Sequence, residues 1–282
     1  MTYKLKNGYT LTDEEIKRTS EILESGTWEG TLTDVKIRNL ATQSNKQANT
    51  LVYRDKRVYT PTASPADWRA LLADPEKHWR AGYSAMATAR SWDGNAPGFP
   101  REVRDALNGA HVPALDDLEL LLAIPEHKTP LPGGRRPSQT DVFVLARNDK
   151  GLVAIAVEGK VDESFGPTLG QKLVAASPGV LERVAFLKEK LQLPETVSST
   201  IRYQLMHRTV SALLIADEFH ASTAVMLVHS FSQTDNHFND YCSFLELFGK
   251  AGKVNEVTSV GAFGGTELFL GWVRGDEQYL SE

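Results

Sequence analysis

Two stretches in the middle of the chain carry the apolar, β-branched pattern of buried strands. Asp141–Ala146 contains Val, Phe and Leu, and Leu152–Val157 is a second apolar run. The residues between them, Asn148–Gly151, are turn formers. The pattern therefore predicts a β-hairpin over residues 141–160.

Apolar residues that recur every three or four positions predict a helix before the hairpin, at Leu115–Ile124, and a longer one after it, at Ile201–Ala216. The other predicted elements are helices at Thr12–Leu23, Asp67–Leu72, Pro75–Ser91, Val180–Leu191 and Phe238–Phe248, and strands at Ala224–Ser230 and Glu267–Val273. This mixture indicates an α/β fold with α+β order, in which helices flank a central mixed sheet.

A link that contains Pro, Ala and Ser, at residues 60–65, indicates two parts. Residues 1–58 are predicted to be a small appendage that dimerises or engages a partner or DNA, and residues 59–282 to be the main domain. Four aromatic residues after the link are predicted to pack in the core rather than to stack on bases: Trp68, Trp79, Tyr83 and Trp92.

The hairpin ends in a charged triplet, Glu158-Gly159-Lys160. Because side chains alternate along a strand, Glu158 and Lys160 share one face. Asp141 and Glu158 are equally distant from the turn, so an antiparallel hairpin places them opposite each other. Two interpretations are open. The three charged residues form either a binding site for a divalent metal ion and an activated water, or a salt-bridged strand end.

The Glu-any-Lys pattern also occurs at Glu15/Lys17 and at Glu126/Lys128. The first lies in a polar, helix-like stretch and the second follows a proline in a predicted loop. Both are interpreted as solvated charge. Glu119, in the apolar second half of the helix predicted before the hairpin, is a candidate third carboxylate.

These features resemble the PD-(D/E)XK nuclease superfamily, in which an acid-bearing helix precedes a hairpin with an Asp and a Glu-any-Lys, followed by another helix. The resemblance covers roughly residues 115–228. It implies a restriction-endonuclease-like core in which Asp141, Glu158 and Glu119 bind Mg²⁺ or Mn²⁺. It also implies that Lys160 orients or activates the attacking water. Thr140 stands where the family usually has Pro.

Exonuclease-like branches of the superfamily place a Gln, followed four residues later by Tyr, on the helix after the catalytic strand. Here Gln204 is followed by Arg208, and His207 lies on the same helix face. Gln204 is thus a candidate catalytic residue, and Arg208 a candidate phosphate contact. The alternative is that they form the polar edge of a packed helix. The middle of the chain also resembles a bacterial family with a nuclease-like core.

Composition and charge limit the partners. The formal net charge is −5, which opposes general attraction to nucleic acid, although local patches matter more. Arg135 and Arg136, before the hairpin, are candidate substrate contacts, with solubility as the alternative role. The single cysteine, Cys242, excludes an intrachain disulfide. A cytoplasmic location is expected because neither a signal peptide nor a long apolar span is recognisable.

The resemblance implies a metal-dependent nuclease that hydrolyses phosphodiester bonds in DNA, in defence or repair. A homodimer and the absence of membrane association are further expectations. The competing hypothesis is a catalytically inactive, nuclease-like fold that acts as a binding or scaffold module.

Overall fold

A computed structural model describes residues 2–4, 10–12, 62–134 and 136–281. The chain forms two compact units, Met1–Arg54 and Asp55–Glu282. In the first unit, strand β1 (Thr2–Lys4) pairs antiparallel with β2 (Thr10–Thr12). Apart from Thr12, the helix predicted at residues 12–23 lies outside the described residues.

The second unit begins with helices and continues with alternating strands and helices. It starts with a 3-10 helix (Pro65–Leu71), α1 (Pro75–His78), α2 (Ser84–Gly94) and α3 (Arg101–Asn108). It continues with β3 (Glu119–Thr129), β4 (Ser138–Asn148), β5 (Gly151–Lys160), α4 (Leu169–Leu173), α5 (Pro178–Lys190) and α6 (Tyr203–Glu218). It ends with β6 (Thr223–Ser230), α7 (Phe238–Glu246), β7 (Glu256–Phe263), β8 (Thr266–Arg274) and a 3-10 helix (Glu277–Leu280).

The strands of the second unit form one six-stranded sheet in the order β3-β4-β5-β6-β8-β7. β3, β4 and β5 are an antiparallel meander, whereas β5, β6 and β8 run parallel. The carboxyl ends of β3, β5, β6 and β8 therefore lie beside the amino end of β4, along one edge of the sheet that is formed by strand ends. This mixed sheet flanked by helices confirms the predicted fold class.

The predicted hairpin and its register are confirmed in β4 and β5. Asn148 pairs with Gly151 and Val142 with Val157, so Asp141 and Glu158 are the next residues outward. Gly151 ends the turn with a φ of 129°, a backbone conformation that a side chain would disfavour.

Each face of the sheet carries its own hydrophobic core. Phe143 and Ala156 pack in a core shared with α6, whereas Val144 and Ile155 pack in a second core shared with α3. Because strand side chains alternate, residues at the parity of Phe143 and Ala156 face α6. Asp141 and Glu158 have that parity.

The helix predicted at Leu115–Ile124 is wrong, because β3 covers Glu119–Thr129 and pairs with β4 along its length. A short apolar run fits a buried strand as well as a helix, so periodicity alone could not decide. The loop predicted around Glu126 and Lys128 is wrong for the same reason, since both residues lie in β3.

The other predicted helices and strands within the described residues are present, but the helix predicted at Pro75–Ser91 is two helices, α1 and α2, separated by a turn in which Gly82 has a φ of 79°. The edge strand β7, helices α3 and α4 and the last 3-10 helix were not predicted. Trp68 and Trp92 are buried as expected, but Tyr83 is 39% exposed. Within the described ranges, no helix is long and apolar enough to cross a membrane.

Candidate active site

Three carboxylates lie side by side across β3, β4 and β5. The β3–β4 register brackets Glu126 and Asp141, and the β4–β5 register sets Asp141 opposite Glu158. Burial raises the pKa of Asp141, and the negative charges of Glu158 and Glu126 raise it further. We call Glu126, Asp141 and Glu158 the carboxylate row.

Glu158 is held by three donors and is only 2% exposed. Lys160 Nζ lies 2.6 Å from Oε1, and Gln204 Nε2 donates to the same oxygen at 2.6 Å. Arg208 Nε donates to Oε2. Burial alone would raise the pKa of Glu158, but Arg208 and Lys160 outweigh it and lower this pKa to about 2. We call Lys160, Gln204 and Arg208 the Glu158 clamp.

The clamp is anchored on α6 by a second layer of contacts. Arg208 Nη1 donates to Ser138 Oγ at 3.0 Å, and Ser138 Oγ lies 2.9 Å from His207 Nδ1. Burial holds the pKa of His207 well below its usual value, so its neutral ring can accept a hydrogen bond from the Ser138 hydroxyl. The polar face of α6 is therefore hydrogen-bonded to β4 and β5.

Asp141 and Glu126 are less well compensated than Glu158. Asp141 Oδ2 accepts a hydrogen bond from Gly159 N at 2.8 Å, and Glu126 Oε2 accepts one from Gln139 Nε2. Burial, followed by the charges of Glu158 and Glu126, raises the pKa of Asp141 well above its usual value. Burial also raises the pKa of Glu126 to about 7. Both carboxyl groups therefore favour a proton or a bound cation as neighbour.

Gly159, between the two charged residues of the triplet, lies against α2. A Cβ atom there would be 2.1 Å from Thr88 Oγ1 and 3.3 Å from Thr88 Cβ. We expect Gly159→Ala to cost about 1–3 kcal/mol of unfolding free energy. Urea denaturation would measure the change.

Adding Thr88→Ala should recover most of that loss, because it removes the clashing hydroxyl and keeps the Cβ. Gly94→Ala, on the same helix and with nothing within 4 Å of the added Cβ, serves as the control. A double variant as unstable as Gly159→Ala alone would contradict this account of the contact.

Glu119 does not belong to the site, contrary to the sequence prediction. It begins β3 opposite Arg147, with which it forms an exposed ion pair of 2.8 Å. Arg147 is six residues along β4 from Asp141, or roughly 20 Å at the rise of an extended strand. Glu119 is thus at the opposite edge of the sheet, because β3 is a strand rather than a helix.

Glu126 is the carboxylate that the sequence prediction missed. Its position after Pro125 indicates a loop. Pairing of this segment with β4 instead places Glu126 opposite Asp141. Its φ of 53° is uncommon for a residue other than glycine. Such strained positions persist where the surrounding structure holds them, and they cluster at functional sites.

Of the two arginines predicted at the mouth of the site, Arg136 is exposed and Arg135 lies outside the described residues. Earlier in the chain, the carbonyl of Pro132 accepts a hydrogen bond of 2.7 Å from Arg183 Nε of α5.

The oxygen atoms of the carboxylate row are the type of ligand that a hard divalent cation prefers. Mg²⁺ and Mn²⁺ prefer oxygen ligands. Burial first, and then neighbouring negative charge, raises the pKa values of Asp141 and Glu126, and a bound cation would stabilise both groups in their charged form. Over the ranges that the structure describes, no three His, Cys, Asp or Glu residues are already arranged to hold a metal ion.

Comparison with known proteins places the chain in a family. No curated protein and no solved structure matches it. Residues 61–277 match the family described as Domain of unknown function (DUF6946). The match includes the carboxylate row, the Glu158 clamp and all strands of the six-stranded sheet. Since it covers most of the chain, the protein belongs to the DUF6946 family.

Proposed function

We propose that the protein is a metal-dependent nuclease that hydrolyses phosphodiester bonds in DNA. The observation that carries the proposal is the meeting of Asp141, Glu158 and Lys160 at one sheet edge, in the register of the β4–β5 hairpin. This is the arrangement that the resemblance to PD-(D/E)XK nucleases implies. A cytoplasmic location and a role in defence or repair complete the proposal.

The residues of the row and the clamp would have distinct roles. Asp141 and Glu126 would hold Mg²⁺ or Mn²⁺ beside Glu158, and the ion when bound offsets phosphate charge and lowers the pKa of a water. Lys160 supplies a positive charge for the negative charge that develops on the phosphate. Gln204 orients Glu158 through the hydrogen bond to Oε1.

Glu126→Gln tests whether the row binds metal. The amide keeps the size of the side chain but loses its charge, so we expect Mn²⁺ affinity to fall at least about tenfold. Calorimetric titration would measure it. Glu119→Gln is the matched control on the same strand and should bind as the wild type does. Equal losses in the two variants would argue against a metal site at the row.

A binding or scaffold module is the second candidate function. Both oxygens of Glu158 are engaged by protein donors, and Glu158, Lys160 and Arg208 are all buried. A network satisfied in this way can stabilise a sheet edge without any ligand. Such a module would bind its partner equally well after Asp141→Ala or Lys160→Ala.

The experiment that separates the two functions combines metal binding with cleavage. Wild type and Asp141→Asn would be titrated with Mg²⁺ and Mn²⁺ and then incubated with linear DNA, plasmid DNA and single-stranded RNA. Metal-dependent cleavage that Asp141→Asn lacks would support the nuclease. If the wild type neither binds metal nor cleaves, even with nucleic acid present, the module is the better account.

A further inference from the structure

Arg208 is committed to the protein interior. The residue is 7% exposed, and its guanidinium donates to Glu158 Oε2 and to Ser138 Oγ. Both acceptors belong to the protein, so the guanidinium is engaged on two sides within the fold. These contacts indicate a role for Arg208 other than the phosphate contact that the helix pattern suggested.

The cations of the site are unevenly distributed over the carboxylate row. Lys160 and Arg208 both form ion pairs with Glu158. Asp141 and Glu126 form no ion pair with any of the described residues. A divalent cation is therefore attracted most strongly to Asp141 and Glu126, since the charge of Glu158 is already offset.

A buried hydroxyl on the same face of the sheet, beside Lys160, also lacks a partner among the described residues. Ser230 pairs in register with Lys160 on the neighbouring strand β6, so both side chains face α6. Ser230 Oγ is fully buried and has no hydrogen-bond partner in the described part of the chain. Buried polar groups are usually satisfied by protein, water or ligand.

We propose that Arg208 is a positioning residue that keeps Glu158 in a fixed ion pair, so that the site takes one divalent cation, at Asp141 and Glu126, and not two. The inference rests on the proposed function, which it deepens by fixing the number of metal ions. Arg208 then offsets the charge of Glu158 in place of a second cation.

The ion pair is expected to persist when metal binds. Releasing Glu158 would leave the Arg208 guanidinium buried without its counter-charge, which is costly in a low-dielectric interior. Gln204, one helical turn before Arg208, holds the other oxygen of the same carboxylate. Displacement by a second cation would have to break both contacts.

The test is the number of Mn²⁺ ions bound, measured by calorimetry and by electron paramagnetic resonance of free Mn²⁺. We expect one ion per chain for the wild type and for Arg208→Lys, which keeps the charge. Arg208→Met should bind a second ion, or one ion at least about tenfold more tightly, because Glu158 becomes available as a ligand. Arg183→Met, which removes a guanidinium that bonds to loop carbonyls, is the control and should behave as the wild type.

Two results would overturn the inference while leaving the nuclease in place. One is two Mn²⁺ ions bound to the wild type, a measurement that does not depend on the folding of any variant. The other is folded Arg208→Met that binds one ion with wild-type affinity. If no variant and no wild-type sample binds Mn²⁺, the proposed function fails together with the inference.

Discussion

Replacing Lys160 with Met is expected to lower the rate of metal-dependent DNA cleavage by about 10²- to 10³-fold, the usual effect of removing one preorganised charge from a transition state. The methionine keeps the length and apolar stem of lysine, so it can still pack over Phe165, whose ring centroid lies 5.1 Å from Nζ. Glu158 retains Arg208 and Gln204 as partners. The single-turnover rate at saturating Mg²⁺ is the measurement.

Lys150→Met, in the exposed turn of the same hairpin, is the matched control and should cleave at the wild-type rate. The metal affinity of Lys160→Met should also be measured. A slow variant with wild-type metal affinity has lost a chemical role of Lys160, whereas a slow variant with weaker affinity has lost the metal ion. Cleavage by Lys160→Met at the wild-type rate would contradict the role assigned to Lys160. A salt-bridged strand end would then describe the triplet better.

Removing the carboxylate of Glu158 should cost more stability than any single change in the Glu158 clamp. Glu158→Ala leaves Lys160 and Arg208 buried without their counter-charge, and such losses amount to about 3–5 kcal/mol. Urea unfolding at neutral pH, followed by the fluorescence of buried Trp92 and Trp272, would measure the difference.

A second variant separates charge from packing. In Glu158→Leu with Arg208→Met, one buried cation and its partner are removed together, so we expect part of the stability to return. Glu119→Ala, which breaks an exposed ion pair, should change stability by less than about 1 kcal/mol. A loss of similar size for Glu158→Ala would show that the clamp is not a strongly coupled buried network.

The hairpin and the triplet at its end were predictable because their determinants are local. The apolar run in Asp141–Ala146, the turn at Asn148–Gly151 and the run Leu152–Val157 specify both strands and their register. Once the register is known, Asp141 and Glu158 must be opposite each other. Helix α6 was predictable for a similar reason, since its apolar positions recur at the helical period.

The third carboxylate was not predictable in the same way. The segment before the hairpin has an apolar run that fits a helix or a strand, and only pairing with β4 makes it β3. Because this segment is a strand, Glu119 lies at the far end of the sheet and Glu126 lies beside Asp141. It also decided which carboxyl groups are crowded together.

The sequence by itself determined the fold class, the hairpin and the position of Asp141, Glu158 and Lys160 on one sheet face, because these follow from side-chain alternation and turn chemistry within one short segment. Only the tertiary structure decided that Arg208 and Gln204 reach Glu158, and that Glu126 stands beside Asp141. These contacts join residues distant along the chain, and packing of α6 and β3 on the hairpin brings them together. The resulting charge balance, with Glu158 satisfied and Asp141 and Glu126 not, is a property of that packing.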